Sequence, residues 1–360
     1  MKKAISAIQG KGFKVLFSDE AYPALNSFLE TKLYSSIFIL VDNYTKKHCL
    51  PLFLKNFSKL KNASVIKINA GEENKHLKTC QLAWQQLSDL GADRKSLLIN
   101  LGGGVVSDLG GFVAATFKRG IDFVNVPTTL LSMVDASVGG KTGVDFRGLK
   151  NQIGIITHPK MVIIDVQYLK TLPEKEYKSG YAEMLKHGII RDKEYFKKLS
   201  KYKLLTDEYI EDYIYHSVSI KNIIVNEDLY ESNLRKILNF GHTLGHAIET
   251  HCLNDSKTSS LLHGEAIAIG MIIESYLATQ VCGLDLRVAE DIKYVFHRIF
   301  PKVSFSNENL SAIIGLLKYD KKNSHSKVKF VLLYALGEPA IDIEVPSETL
   351  LEGFDFYKRD

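Results

Sequence analysis

The sequence predicts an α/β domain with a mostly parallel sheet over residues 1–172 and a mainly α-helical domain over residues 173–360. Three observations carry this prediction. The chain has 360 residues, and a single hydrophobic core rarely grows past about 250–300 residues. Its first half alternates short apolar, β-branched runs with helix-like stretches, the rhythm of strands joined by crossover helices. From Pro173 onward that rhythm gives way to long helical patterns.

SIFILVDN (36–43), SVIKINA (64–70), SLLINLG (96–102), DFVNVP (122–127) and MVIID (161–165) read as strands. They are apolar almost throughout, as strands covered on both faces are. KHLKTCQLAWQQLSDLG (75–91) is the kind of helix that covers such a sheet. Helical patterns then run over 173–190, 207–226, 233–250, 264–281 and 286–298. VKFVLLYAL (328–336) reads as a strand, and a helix closes the chain from Pro346.

Composition narrows the class. Hydrophobic residues make up 45% and charged residues 24%, ordinary for a globular protein. The net charge of +5 is spread along the chain, so nucleic acid is not an expected partner. An anionic small molecule suits that balance. No apolar run reaches the roughly 18–20 residues of a membrane span, and MKKAISAIQGKGFKVLF lacks the apolar stretch of a signal peptide. Cys49, Cys80, Cys252 and Cys282 show no CxxC spacing, which predicts free thiols in a reducing cytoplasm.

The strand LLINLG runs into Gly102-Gly103-Gly104 and then VVSDLGGF. Successive glycines let backbone N–H groups approach an anion, and a helix starting near Val105 adds its dipole. The pattern is not GxGxxG and does not follow the first strand. A phosphate cradle and a plain tight turn both satisfy it. In VPTTLLSMVD (126–135), two threonines open a helix, where one hydroxyl serves as a cap. Asp42 ends an early strand, placed either to hold a ribose hydroxyl or to face solvent.

NFGHTLGHAIET sets His242 and His246 four residues apart on one helical face. His263 opens the next helix in LHGEAIAIGM, and Glu183 lies on an earlier one in SGYAEMLKHG. A glutamate with two histidines and an open fourth position is the ligand set of a catalytic zinc site. HTLGH is not HExxH, because Thr243 stands where a metalloprotease has its glutamate. A histidine pair at this spacing also arises from simple packing. Cations accompany these motifs: Lys141, Lys150, Lys186, Lys221, Arg235, Lys321 and Lys322. Singly they are surface charges; together they suit a cage for a carboxylate and a phosphate.

GGGVVSDLGGFVAATFKRG, VPTTLLSMVDASVGGKTGVD, SGYAEMLKHGII, NFGHTLGHAIE and LHGEAIAIGM, in this order, resemble the 3-dehydroquinate synthase family. The resemblance spans residues 36–336 and implies a Rossmann-like first domain. It implies that Glu183, His242 and His263 hold Zn²⁺, with Co²⁺ as a possible substitute. It places Asp42, Glu72, Lys75, Gly103, Gly104, Val105, Asp108, Thr128, Thr129, Asp135, Lys141, Lys150, Tyr168 and Thr171 against NAD. Substrate falls to Asp135, Lys141, Asn151, Lys186, Lys221, Arg235, Asn239, His246 and one of Lys321 or Lys322. Arg119 matches an arginine lent across a homodimer. Where the family often has Pro-Leu-Gly-Lys-Asn, this chain has Arg147-Gly148-Leu149-Lys150-Asn151, so the turn is rebuilt while Lys and Asn keep register.

The implied reaction is a lyase step of aromatic amino acid biosynthesis by the shikimate pathway. The substrate is 3-deoxy-D-arabino-heptulosonate 7-phosphate. Transient oxidation by NAD precedes phosphate elimination, reduction, ring opening and aldol closure. A sibling sugar phosphate cyclase making an inosose or a valiolone would share the NAD and metal machinery. A metal-dependent polyol dehydrogenase of the glycerol dehydrogenase type would not need so many cations. A non-catalytic zinc-binding protein would not need every position filled by a chemically competent residue. Arg235, Asn239, His242 and His246, taken as one helix, are expected to point broadly the same way.

Overall fold

The computed structural model describes residues 5–57, 60–201, 209–254, 260–317 and 328–359. Lys321 and Lys322 lie outside them. The chain forms two compact units, residues 1–177 with 206–222 and residues 178–205 with 223–360. The helices Glu174–Arg191 and Ile210–Glu227 each contribute residues to both.

The first unit is built on a sheet. Its strands are β1 (Ile8–Gly10), β2 (Phe13–Phe17), β3 (Ile37–Asp42), β4 (Ser64–Ile68), β5 (Leu97–Gly102) and β6 (Asp122–Pro127). A separate hairpin of β7 (Lys141–Phe146) and β8 (Leu149–Ile156) follows, and β9 (Met161–Ile164) returns to the sheet. The strand order is β1-β2-β9-β6-β5-β3-β4. β1 runs antiparallel to β2, and the other pairs are parallel. The five strands read from the sequence are β3, β4, β5, β6 and β9. Residues 1–35, in which the sequence patterns place no element, supply β1, β2 and the helix Ser18–Thr31.

Strand order fixes where a ligand belongs. The chain passes from β3 to its neighbour β4 on one side, then crosses to β5 on the other. Order reverses between β3 and β5, and ligands of open α/β sheets bind beyond the carboxyl ends of strands at such a point. Asp42 and Gly102 are the last residues of those two strands. Pro127, at the end of β6, pairs with Gly102, and Thr128 donates its N–H to the Gly102 carbonyl at 3.0 Å. Asp42, the glycine turn and the two threonines therefore share one end of three adjacent strands.

The second unit is mainly helical. Its helices include Lys193–Leu199, His242–Asn254, His263–Val281, Leu286–Ile299, Asn307–Leu316 and Ser347–Lys358. β10 (Lys329–Ala335) pairs antiparallel with β11 (Glu338–Glu344). The expected single helix over 233–250 is two pieces: a 3₁₀ helix, Leu234–Asn239, then an α-helix from His242. Gly241 lies at φ 78°, a left-handed conformation that breaks the helical path. Arg235 and Asn239 are thus not on the helix of His242 and His246, and helical periodicity gives the four no common face. Among the described residues no helix is long and apolar enough to cross a membrane.

Gly110, on the helix Gly104–Thr116, lies against the sheet where a Cβ would sit 2.1 Å from Asn100 Oδ1 and 2.8 Å from Leu40 Cδ2. Asn100 is fully buried and donates to Asn125 Oδ1 at 2.9 Å, so it cannot swing aside. Overpacking of about 1–3 kcal/mol outweighs the ~1 kcal/mol an alanine adds to a helix. Gly110→Ala is expected to lower the urea midpoint, despite being the better helix former.

Candidate active site

In the first unit, β5 ends in the glycine turn and the helix Gly104–Thr116 starts with Gly103 as its N-cap, without a side-chain cap. Its first N–H groups are of the kind that await an external acceptor. A Cβ on Gly103 would come 3.0 Å from Thr129 Cγ2, so the turn and the threonine loop are pressed together. Thr129 Oγ1 accepts from Ser132 N at 3.1 Å, the capping role open to it in the sequence. The turn that follows is a π-helix over Ser132–Ala136 carrying Asp135. Lys221 Nζ binds both the Asp135 carboxylate and its carbonyl, each at 2.6 Å. Asp42 is likewise a cap, its Oδ1 accepting from Thr45 N at 2.7 Å.

Beside the turn lies a charged network. Lys75 is 4% exposed and its Nζ lies 2.6 Å from Asp108 Oδ2 and 2.7 Å from Asn151 Oδ1. Lys150 reaches Glu72 at 3.0 Å. Burial works against the Lys75 charge, but Asp108 and Glu72 outweigh it and raise its pKa. Burial raises the Asp108 carboxyl, against the pull of Lys75. The rebuilt turn proves to be a two-residue hairpin with Arg147 at φ 52° and Gly148 at φ 76°, the signs of a type I′ turn. Asn151, at φ 50°, donates its N–H to Asp145 Oδ1 at 2.7 Å. Tyr168 is buried, while Lys141 and Thr171 are exposed. Arg119 is exposed at φ 70°, next to Lys118 at φ 49°, a strained pair of the sort retained at functional positions.

In the second unit, Glu183 is fully buried and forms an ion pair with Lys186, 1% exposed, one turn further along. Its Oε1 lies 3.7 Å from His242 Nε2 and 3.6 Å from His263 Nε2. His242 Nδ1 is 3.1 Å from the Phe240 carbonyl, and His263 Nδ1 is 3.1 Å from Glu249 Oε2. Each ring therefore spends Nδ1 on a neighbour and turns Nε2 toward the same carboxylate. Ligands about 2.0–2.2 Å from a tetrahedral metal stand about 3.4 Å apart, so these separations fit a divalent ion. Burial opposes protonation of His263, yet Glu249 and Glu183 push it up to about 9. A metal ion would take the place of that proton as the positive charge between the two carboxylates. His246 is a neighbour of the same point, since ring nitrogens of His242, His246 and His263 lie within 4.8 Å of one another.

Glycine brings these helices together. A Cβ on Gly264 would collide with the Ser179 carbonyl at 2.1 Å, and Gly264 N donates to Ser179 Oγ at 2.9 Å. That contact seats His263 beside the turn that ends in Glu183.

Arg235, 3% exposed, belongs to a turn ordered by Asp228. The Asp228 carboxylate accepts from Ser232 N at 3.0 Å, Asn233 N at 2.8 Å and Arg235 N at 3.0 Å. Arg235 Nη1 donates to the Leu229 carbonyl at 2.8 Å. Asn239 Nδ2 donates to Glu231, a residue at φ 58°. Glu231, Asp228 and Glu249 were not among the residues picked from sequence. Glu249 was within reach: with His242 and His246 it repeats at i, i+4, i+7 on one helical face. Asp228 and Glu231 sit in an irregular turn with no periodic signal.

The first unit thus offers a glycine turn at the switch point of a parallel sheet, and the second a buried histidine–carboxylate cluster that suits a divalent ion. Comparison with known proteins gives the family. A model described as 3-dehydroquinate synthase N-terminal matches residues 65–179, and one described as 3-dehydroquinate synthase C-terminal matches residues 180–323. A 3-dehydroquinate synthase of Parabacteroides distasonis is 40% identical over 348 residues, 96% of this chain and 98% of that protein. The chain belongs to the 3-dehydroquinate synthase family. Among solved structures, 2-deoxy-scyllo-inosose synthase complexed with carbaglucose-6-phosphate, NAD⁺ and Co²⁺ has a TM-score of 0.82 at 23% identity, covering 97% of this chain and 99% of that one. The 2-epi-5-epi-valiolone synthase of Streptomyces hygroscopicus, with NAD⁺ and Zn²⁺ bound, has a TM-score of 0.81 at 24% identity, covering 99% of each. These two share the fold.

Two predictions follow from the geometry. His263→Ala should abolish binding of the roughly one divalent ion expected of such a ligand set, measured by atomic emission on dialysed protein. A variant that keeps a full equivalent of metal would contradict the ligand assignment. The second concerns Asp228. Partial burial opposes its charge, but the donors of Asn233, Ser232 and Arg235 prevail and hold its pKa near about 2. The unfolded value is about 3.9, so its stabilisation is present above that pH and is lost as pH falls through about 2. Asp228→Asn should melt lower than the wild type at pH 5, and the gap should close as pH falls from about 4 toward 2.

Proposed function

We propose that this chain converts 3-deoxy-D-arabino-heptulosonate 7-phosphate into 3-dehydroquinate and phosphate, with one catalytic NAD and one Zn²⁺ or Co²⁺. The observation that carries the proposal is the convergence of His242 Nε2 and His263 Nε2 on Glu183 Oε1, at 3.7 and 3.6 Å. Bound there, the metal supplies a Lewis acid at a carbinol oxygen and the dinucleotide a reversible hydride acceptor. Glu183, His242 and His263 hold the metal, and Glu249 and the Phe240 carbonyl fix the two rings.

The glycine turn gives the dinucleotide's phosphates the N–H groups of Gly104 and Val105, and Asp42, at the end of β3, offers a carboxylate to a ribose hydroxyl. Thr128, Thr129, Asp108, Lys75, Glu72, Lys150, Tyr168 and Thr171 complete that site. The family resemblance assigns the substrate's polar groups to Asp135, Lys141, Asn151, Lys186, Lys221, Arg235, Asn239 and His246. Arg235 suits the carboxylate, because a buried carboxylate needs a charged donor. The chain's task is to hold one small molecule through successive steps by its two anionic ends. The working form is a cytoplasmic homodimer in which Arg119 serves the partner's site.

The reading is tested by incubating the protein with the heptulosonate phosphate, NAD and zinc. Phosphate and dehydroquinate should appear together, with no stoichiometric rise in NADH absorbance. Accumulating NADH would instead indicate a polyol dehydrogenase. Glucose 6-phosphate and sedoheptulose 7-phosphate, substrates suited to the sibling cyclases, should give negligible turnover. Arg235→Ala should weaken kcat/KM by about 2–5 kcal/mol, the cost of stranding one partner of a buried charge pair. Mixed Arg119→Ala and Glu183→Ala chains should regain activity that neither shows alone.

A further inference from the structure

The helix His263–Val281 carries, besides His263, a second group aimed at the other ligand helix. Glu274 is fully buried. Its Oε2 accepts from Gly241 N at 2.5 Å and its Oε1 from Leu244 N at 3.1 Å. These donors lie at the start of the helix His242–Asn254, where N–H groups have no partner within the helix. A serine or aspartate at the N-cap ordinarily satisfies one of them. Here Gly241 stands in that place and has no side chain to offer. The cap comes from a neighbouring helix, and it is a carboxylate, the charge that a helix N-terminus favours.

The reach is made possible by glycines. A Cβ on Gly270 would lie 2.0 Å from the Gly241 carbonyl, and one on Gly245 would lie 2.6 Å from Ile267 Cδ1. A Cβ on Gly241 itself would lie 2.2 Å from Met271 Cγ. The two helices thus touch backbone to backbone, within hydrogen-bond reach of a glutamate. Glu274 follows His263 by three helical turns, about 16 Å along the axis, and so shares its face. The ring centroids of His242 and His246 lie 5.5 and 5.8 Å from that of His263.

We infer that Glu274 is a positioning residue for the metal centre. It fixes where the helix of His242 and His246 begins relative to the helix of His263, and so sets the distance between the imidazoles. Sliding one helix along the other would separate the Nε2 atoms without unfolding either. A buried anion with two backbone donors resists that slide in a way that apolar packing does not, because leaving them strands a charge and two N–H groups together. The inference rests on the metal reading of Glu183, His242 and His263, and assigns Glu274 no contact with metal or substrate.

The experiment measures metal affinity rather than turnover. Zinc binding is followed by competition with a chromophoric chelator in wild type, Glu274→Ala and Glu274→Gln. The visible spectrum of the cobalt-loaded protein is recorded for each. NADH fluorescence and circular dichroism report folding. Glu274→Ala should bind zinc at least about tenfold more weakly, as loss of groups supporting metal ligands does, and the cobalt bands should weaken or shift. Glu274→Gln keeps an acceptor oxygen and should fall between. If the alanine chain fails to fold, the glutamine chain decides. Folded variants whose zinc affinity stays within about twofold of wild type, with an unchanged cobalt spectrum, overturn the assignment to Glu274 alone. A wild-type chain that takes up neither ion overturns the metal reading itself, and the purpose given to Glu274 with it.

Discussion

The second unit is organised around one electrostatic constraint: the Glu183 carboxylate is an anion with no exposure to solvent. A charge in such a place is tolerated only with partners close by. Lys186 supplies one, and the imidazoles of His242 and His263 stand around the other oxygen. Each neighbour is itself held: His242 by the Phe240 carbonyl and His263 by Glu249. Three helices must therefore meet at close range. The glycines at 241, 245, 264 and 270 are the positions where any larger residue would keep them apart.

The first unit answers to a different constraint, the polarity of its sheet. Parallel strands put their carboxyl ends on one edge, and the reversal of order between β3 and β5 opens a gap there. Asp42, the glycine turn and Thr128 reach that edge because each ends or follows one of three neighbouring strands. The pairing of Lys75 with Asp108 and Asn151 then ties the helix after the turn to the loop after β4 and to the β7–β8 hairpin.

Fold and chemistry separate cleanly in the comparisons. Inosose and valiolone synthases superpose closely at 23% and 24% identity, and a shared fold does not choose between substrates. The choice rests on side chains. Asp228, Glu231 and the Leu229 carbonyl hold Arg235 and Asn239 in place within their own turn. The polar groups of that turn are thus held by one another.

The sequence by itself determined what local pattern and residue chemistry can determine. β3, β4, β5, β6 and β9 are legible because doubly covered strands are continuous apolar runs, and the helix from His263 because its apolar stretch is long. The five family motifs carried the candidate ligands Glu183, His242 and His263 with them. Tertiary structure decided what depends on distant neighbours. Gly241 could not be recognised as a break, since nothing nearby in sequence shows that Met271 and the Gly270 backbone press against it. Arg235 and Asn239 therefore left the helix on which periodicity had placed them. Thr129 and Asp42 proved to be caps as well as candidates, because a hydroxyl or carboxylate at a helix start has the same appearance in either role. Glu274 became legible only when the helices were packed, for a carboxylate's partner is fixed by what lies across a contact and not by what lies beside it in the chain.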